Sequence, residues 1–597
     1  MIGYQISFPA PGAARYEGKA EEAVRFTLRH QLLDAALWRR FVDVFKEDSD
    51  SADNGWRCEF WGKTMRGGCL TYQYTGDEAL YRTLLAAVEG LLAARRPNGA
   101  FSTYPQDDCW RGWDIWGRKY VLTGLLHFYD VCRDETLKPR LLAAMTAHAE
   151  RLFEEVGEGK INITETSDFW GGVNSCSVLE PVVGLYKLTG DERCMAFARY
   201  ILSTGGCKDG NLIALAAEDK IPPCEYPEVK AYETISFFEG LLAMYEVTGD
   251  RFYLDTVEKF AAAVAATDIT AIGCAGCTHE LFDRSAEKQT DFSDGIMQET
   301  CVTVTWMRFC ARLFALTGKE KYYALVERSA YNALYGAVND HMLKQWDVGG
   351  NTLLDALPFD SYSPLVNQKR GRGVGGLKFF RQGGFYGCCA CIASAGTALL
   401  PLTAVTQSPR GVWVNTYLRG GARLATPAGQ TLILACDTTY PAAMDARITV
   451  SPAAPERFTL RLRVPSFVKD PVVRVNGEVT PVELADNYLS LTREWRGDEV
   501  TLTGELLPET EERNGKIAFR YGVLTLARDE QKEPGADLSA PLALSGEPAQ
   551  RVEPEAEETV RFLLPLQGGG FAVLTDYASC GKRWDKPHAA VSVWHNR

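Results

Sequence analysis

The sequence predicts a multidomain α and β protein, an (α/α)6 toroid followed by antiparallel β-sandwich domains. Two observations carry that expectation: a helical repeat through the first two thirds of the chain, and a change to short alternating strands near residue 405. A chain of 597 residues is also too long for one compact core, so several domains are the starting point.

The repeat shows as helical apolar periodicity that ends again and again in a similar stop, in LTYQYTGDEALY, LLHFYDVCRDETL, VVGLYKLTGDERC, LLAMYEVTGDRFY and ARLFALTGKEKYY. The stops fall at Thr75, Cys132, Thr189, Thr248 and Thr317, which are 57, 57, 59 and 69 residues apart. Gly just past a last helical turn, followed by Asp before the next helix, is a C-cap and an N-cap in succession. A unit of this length holds two helices and a loop, and hairpins in series of this kind close into an α/α ring.

From GVWVNTYL onward the texture is different. TLILACDT, ARITVSP, FTLRLRVPS, VVRVNGE, YLSLTREW, DEVTLTGEL and KIAFRYGVLTLA alternate apolar and polar residues between turn signals, as antiparallel sandwiches do. An acidic, Pro-rich surface excursion follows from about residue 530, and VRFLLPL and FAVLTDYA then read as further strands. The expected division is an N-terminal segment 1–20 packing on the β material, a helical catalytic domain 21–405, a β-sandwich 406–530, and further strands 531–597 completing it.

Composition excludes several functions. A net charge of −13 with no basic stripe argues against nucleic acid as a partner. No run of about 18 apolar residues exists to span a membrane. The N-terminus MIGYQISFPAPGAARYEGKA lacks a basic segment leading into an apolar core, which points to a cytoplasmic location. The 17 Cys are odd in number and spread over a long chain, unlike a disulfide scaffold, so most should be buried reduced thiols.

Three local groups of residues could carry chemistry. FYGCCACIASAG places Cys388, Cys389 and Cys391 in a Gly-flanked turn, where neighbouring thiolates can bind a soft metal ion. A chance run in a Cys-rich chain is the plainer reading. MQETCVTVTWMRFCARLFALTG opens a helix with Glu299 and Cys301. Alone, Glu299 reads as a capping residue and Cys301 as core; joined to Cys388 and Cys389, they make a three-sulfur, one-oxygen set that suits zinc. CAGCTHELFDR holds Glu280 beside His279, with Cys274 and Cys277 as a rival, unmatched Cys-x-x-Cys pair.

Together, ETC, the CC pair in its Gly-rich turn, and the β motifs YP, LRLRVPS, VNGE and REW…GDEV resemble glycoside hydrolase family 127, the β-L-arabinofuranosidases. The likeness covers nearly the whole chain. It implies zinc held by Glu299, Cys301, Cys388 and Cys389, with Cys388 also the nucleophile. Glu280 in HELF, 19 residues ahead of Glu299, would be the acid/base of a retaining reaction. The expected partner is a small carbohydrate or oligosaccharide; a homodimer is left open.

The sequence also departs from that family. Its sugar-binding His segments are replaced by WDIWGRKY, VNSCSVLE and PEVKAYE, and CCAC stands where CCPP is usual. The expected sugar-contacting residues are therefore Trp113, Asp114, Trp116, Arg118, Asn174, Glu233, His279 and Tyr362, with Lys119 and Lys230 adjacent. GWRCEFWGKTMRG adds Trp56, Arg57, Glu59 and Lys63. Each charged residue here could instead be a helix salt-bridge partner. Arg and Lys in a sugar pocket suit an acidic sugar, unless Asp114 neutralises Arg118 internally. The competing functions are another α/α-toroid carbohydrate enzyme, an unsaturated-uronyl hydrolase or an epimerase, and a non-catalytic carbohydrate-binding homologue.

Overall fold

The computed structural model describes residues 6–51, 58–276, 278–291, 297–339, 359–371, 376–379, 384–409, 411–582 and 589–597. Helices end at Thr75, Val131, Thr189, Thr248 and Thr317, at or one residue before the stops read from the sequence. Gly190, Gly249 and Gly318 follow three of these ends in the left-handed conformation, with φ of 67°, 71° and 70°. Asp77, Asp191 and Asp250 then cap the next helices, accepting from Leu80, Arg193 and Phe252 backbone N–H groups.

Among the described residues, six helices form an inner ring: Cys58–Thr75, Asp114–Val131, Leu179–Thr189, Ala231–Thr248, Thr300–Thr317 and Cys388–Thr403. Each packs on the next, and Cys388–Thr403 packs back on Cys58–Thr75, so the ring closes. Most inner helices are buried nearly all round; Ala231–Thr248 is buried from Ala231 through Glu246, whereas Leu179–Thr189 leaves its C-terminal turn partly open. Outer helices bury one stripe, as Glu78–Ala93 does with Leu80, Tyr81, Leu84, Ala87, Val88 and Leu91. No helix among the described residues is long and apolar enough to cross a membrane.

The ring's last member departs from the repeat. Cys388–Thr403 has no Thr-Gly stop and carries Pro401 inside it, and the Cys pair read as a turn lies in its first helical turn. Gly387 at its N-cap has φ 119°, and a Cβ there would stand 2.5 Å from the Gly376 carbonyl oxygen.

Behind the ring, a seven-stranded and a five-stranded sheet form the first β unit. Met444–Pro452 alternates buried and solvent-facing residues, as expected when one sheet face is covered. Ala14–Tyr16 joins the seven-stranded sheet by pairing with Gly420–Ala422. A third, nine-stranded sheet uses residues from Pro508 onward, and Gln368 and Lys369 pair with Val591 and Ala590 at its margin. Strand pairing thus ties the N-terminal segment to the first β unit and the helical region to the second.

Candidate active site

The N-terminal ends of the inner helices gather at one mouth of the ring. Glu299 is the N-cap of Thr300–Thr317 and Cys301 lies in its first turn, while Cys388 and Cys389 open Cys388–Thr403. Candidate ligand atoms of Glu299, Cys301, Cys388 and Cys389 all lie within 4.8 Å of one another. Cys388 Sγ and Cys389 Sγ are 3.8 Å apart, and Glu299 Oε1 is 3.7 Å and 3.5 Å from them. Two sulfurs at ~2.3 Å from a tetrahedral ion would be separated by about 3.8 Å, so the spacing suits a single small cation. The other carboxylate oxygen, Glu299 Oε2, is buried with no hydrogen-bond partner among the described residues. Three sulfurs and a carboxylate with an orphaned oxygen fit a metal ion.

The electrostatics of the four differ. Burial raises Glu299, Cys301 and Cys389. Cys388 is held well below the usual thiol range, because Cys301 and Cys389 donate hydrogen bonds to it and Lys63 adds positive charge, against its own desolvation. Cys301 and Cys389 are fully buried, and Cys388 alone of the three sulfurs is partly exposed. Cys274 is not part of this set: its thiol donates to the Ala275 and Glu299 carbonyls at 3.1 and 3.3 Å. Its partner in the rival motif, Cys277, lies outside the described residues.

Glu280 sits beside the cluster on a strained turn, with φ of 51° at His279 and 66° at Glu280. That turn lets the Glu280 carbonyl accept from Ala231 N at 3.0 Å while its side chain meets Lys230 and Tyr362. Tyr362 OH donates to Glu280 Oε1 at 2.6 Å, and Tyr362 is bridged to Glu299 through backbone pairing. Lys230 ion-pairs with Glu280 and lies over the Trp170 ring at 5.1 Å. Burial resists the Lys230 charge, but Glu280, Glu233 and Glu299 together raise its pKa. Glu233 is buried with an unpartnered Oε2, and burial pushes its carboxyl up to about 7. His279 is exposed at the rim.

One turn further in, Glu59, Lys63, Trp116, Tyr120 and Tyr232 pack together. Glu59 accepts from Trp116 Nε1 and lies 3.1 Å from Lys63 Nζ. Lys63 Nζ stands over the rings of Tyr232, Tyr120 and Trp116 at 4.7, 5.1 and 5.7 Å. Tyr120 and Tyr232 share a hydroxyl–hydroxyl contact. Sequence reading named Glu59, Lys63 and Trp116 but missed both tyrosines. Tyr120 follows Trp116 by four residues, a same-face spacing that was available; Tyr232 adjoins Glu233 and carried no such signal.

The remaining candidates are held by protein partners. Arg118 Nε lies 2.9 Å from Asp114 Oδ2, both buried, and its guanidinium stacks over Trp110 at 4.3 Å. Asp114 also accepts from Ser102 Oγ at 2.6 Å and Trp110 N at 3.0 Å. Trp113 caps that helix and stacks on Phe169, centroids 5.8 Å apart. Asn174 donates to the Gly112 carbonyl at 3.4 Å and keeps a buried, unpartnered Oδ1. Lys119 Nζ donates to Ser177 Oγ at 3.0 Å. Trp56 and Arg57 lie outside the described residues.

Residues 17–343, more than half of the chain, match the family profile described as the GH127 catalytic domain of β-L-arabinofuranosidase. The chain belongs to glycoside hydrolase family 127. Residues 411–506 match the middle domain of the same family. The family-127 fold is shared with a solved GH127 β-arabinofuranosidase at 19% identity and TM-score 0.74, covering 100% of this chain and 98% of that one. A GH127 β-L-arabinofuranosidase from Geobacillus stearothermophilus T6 is 16% identical with TM-score 0.73, over 98% and 99% of the two chains. No curated protein matches the sequence at a significant level. By membership this family-127 chain is a glycosidase, and its substrate is a carbohydrate.

Proposed function

We propose that this enzyme is a retaining, β-L-arabinofuranosidase-like hydrolase with Cys388 as nucleophile and Glu280 as acid/base. The observation that carries the proposal is Cys388, the one accessible sulfur of a Glu/Cys3 set and the one whose thiolate is favoured. Glu299, Cys301, Cys388 and Cys389 would hold zinc, which would keep the thiolates deprotonated and supply Lewis-acid charge at the sulfur.

In the first step Cys388 Sγ bonds to the anomeric carbon as the bond to the leaving oxygen breaks, and Glu280 gives its proton to that oxygen. In the second, Glu280 takes a proton from water, whose oxygen attacks the same carbon as the carbon–sulfur bond breaks. Two inversions give retention. Tyr362 and Lys230 orient the Glu280 carboxyl from two sides. Glu233, its carboxyl raised by burial to about 7, is a second candidate for the acid.

The sugar is read as neutral. Lys63, Lys230 and Arg118 already have carboxylates, in Glu59, Glu280 and Asp114, while Lys119 donates to Ser177 and is pushed by burial down to about 7. A substrate carboxylate would find no cation in want of a partner there. Furanose hydroxyls would instead meet Glu233 Oε2 and Asn174 Oδ1, both lacking protein partners.

Hydrolysis of a nitrophenyl β-L-arabinofuranoside followed by NMR should release the β-anomer first. Cys388→Ser and Glu280→Gln should each lose at least a thousandfold in kcat, azide should partly rescue Glu280→Ala, and Cys389→Ser should lose the metal by elemental analysis. An inverted first product would remove the double-displacement scheme. If Glu233→Gln is the crippled variant and Glu280→Gln is not, the acid is Glu233.

A further inference from the structure

The inner ring encloses a second cavity, of about 450 Å³, at the mouth opposite the cysteine cluster. Every inner helix lines it, each from beyond the part that builds the active site: Cys69 and Gln73, His127 and Asp130, Glu180 and Lys187 are examples. From Glu59 to Cys69 along the first inner helix is roughly 15 Å at 1.5 Å per residue. Lys63 and Arg66, both over the Tyr120 ring, lie between Glu59 and Cys69 along that helix. The two sites are therefore distinct.

Small residues, Gly184, Ala243, Ala311 and Ala315, hold the space open. The wall is mainly apolar, and its charged part is internally paired. Glu180 Oε1 lies 3.1 Å from Arg308 and 2.9 Å from Arg312, and Glu246 pairs with Arg312 at 3.1 Å and Lys187 at 2.6 Å. Phe8, Leu126 and Leu399 supply an apolar part. Arg308, Arg312 and Lys187 each have a carboxylate partner, Arg308 also in Glu239 at 2.8 Å, so the wall offers no unpaired cation with which to select an anion. Yet Glu180 Oε2 is buried without a hydrogen-bond partner, and the half-buried His127 imidazole and the exposed Asp130 carboxylate make no hydrogen bond among the described residues. Burial pushes His127 down to about 3, so it faces the cavity as a neutral ring with one donor and one acceptor.

We propose that this cavity is a second binding site, for a neutral polyhydroxylated molecule of monosaccharide size. Its volume falls within the range of small-molecule sites. Hydroxyl groups can donate to Glu180 Oε2 and Asp130 and both donate to and accept from His127, while the C–H face of a sugar or polyol lies on the apolar side chains. A charged ligand would bring a charge that the paired wall does not need.

The site goes beyond the catalytic assignment and its test does not depend on turnover. Full-length protein is titrated calorimetrically with L-arabinose and with L-arabinitol, and with arabinonate as the charged counterpart. The expected result is a saturable component for both neutral probes that weakens at least tenfold in Ala311→Phe, which fills the cavity, and in His127→Leu, which removes its free ring nitrogens. Should Ala311→Phe fold poorly by its melting curve, His127→Leu decides. No binding of either neutral probe, an unchanged isotherm in the variants, or binding of arabinonate alone would overturn the assignment.

Discussion

Arg118 and Asp114 stand one helical turn apart near the start of the second inner helix, and burial leaves the guanidinium no solvent. A buried charge without a partner costs several kcal/mol, so the 2.9 Å contact with Asp114 is what permits either residue to be there. Arg118→Met should therefore cost about 3–5 kcal/mol in chemical denaturation, by leaving Asp114 uncompensated. It should leave the preference for neutral over carboxylated arabinofuranosides unchanged; a shifted preference would place Arg118 in the sugar pocket after all. Lys119, the next residue, is decided by a different balance. The rings of Trp116 and Tyr120, 4.3 and 5.0 Å from its ammonium, favour the charged form, but burial dominates and pushes its pKa from 10.5 down to about 7. The folded pKa lies below the unfolded one, so the stability held by neutral Lys119 is complete above about 10.5. It drains away as pH falls toward 7, because only the unfolded chain takes the proton in that window. Melting curves of Lys119→Met and the parent should diverge progressively from pH 10 to 7, in favour of the variant, and run parallel below. Curves parallel throughout would mean that Lys119 keeps its charge in the fold.

The first two inner helices approach so closely that side chains cannot fit between them. A Cβ on Gly62 would lie 1.8 Å from the Tyr120 carbonyl oxygen, and one on Gly117 would lie 1.6 Å from Cys58 Sγ. Glu59 and Trp116, which bond across this contact, depend on that approach. Gly62→Ala should force the helices apart, with a loss of about 1–3 kcal/mol in stability and a fall in kcat larger than any change in KM. Retention of full activity with the lowered stability would mean that the Glu59–Trp116 contact does not depend on this approach. The close approach was not legible beforehand, because glycine in a helix carries no mark of what lies beside it. Helix ends were legible, since the Thr-Gly-Asp signals at Thr75, Thr189 and Thr248 act through local backbone chemistry alone. The sixth inner helix was not, because Cys388–Thr403 lacks that stop and begins among glycines that read as a turn. Likewise the Tyr120–Tyr232 contact joins two helices whose meeting only the closed ring brings about.

At the scale of the molecule, the site is assembled from parts that neighbour one another only in the fold: Glu299 and Cys388 are 89 residues apart in sequence, and the motifs suggested their union without fixing its geometry. The third sheet takes part in that assembly through the segment carrying Tyr362. On one side, Thr300 N donates to the Ser361 carbonyl at 3.0 Å and Thr300 Oγ1 to the Asp360 carbonyl at 2.8 Å, which fixes the segment to the helix bearing Cys301. On the other, Arg370 lies 3.5 Å from Asp360 and donates to the Cys580 and Tyr577 carbonyls at 2.8 and 2.9 Å, while Tyr577 OH donates to the Pro364 carbonyl at 2.8 Å. Arg370 and Asp360 are wholly buried, so this clamp is sheltered from solvent and from salt screening. Tyr362 is thereby held where its hydroxyl meets Glu280, and release of the clamp should misorient the acid/base without touching substrate or cysteine cluster. Arg370→Met should lower kcat by tenfold or more at nearly unchanged KM, and Tyr362→Phe added to it should cost little further, because the same contact is already lost. Metal content measured on Arg370→Met should equal that of the parent. Full kcat in Arg370→Met, with only its melting temperature lowered, would mean that the β domain stabilises the enzyme but does not set the position of Glu280.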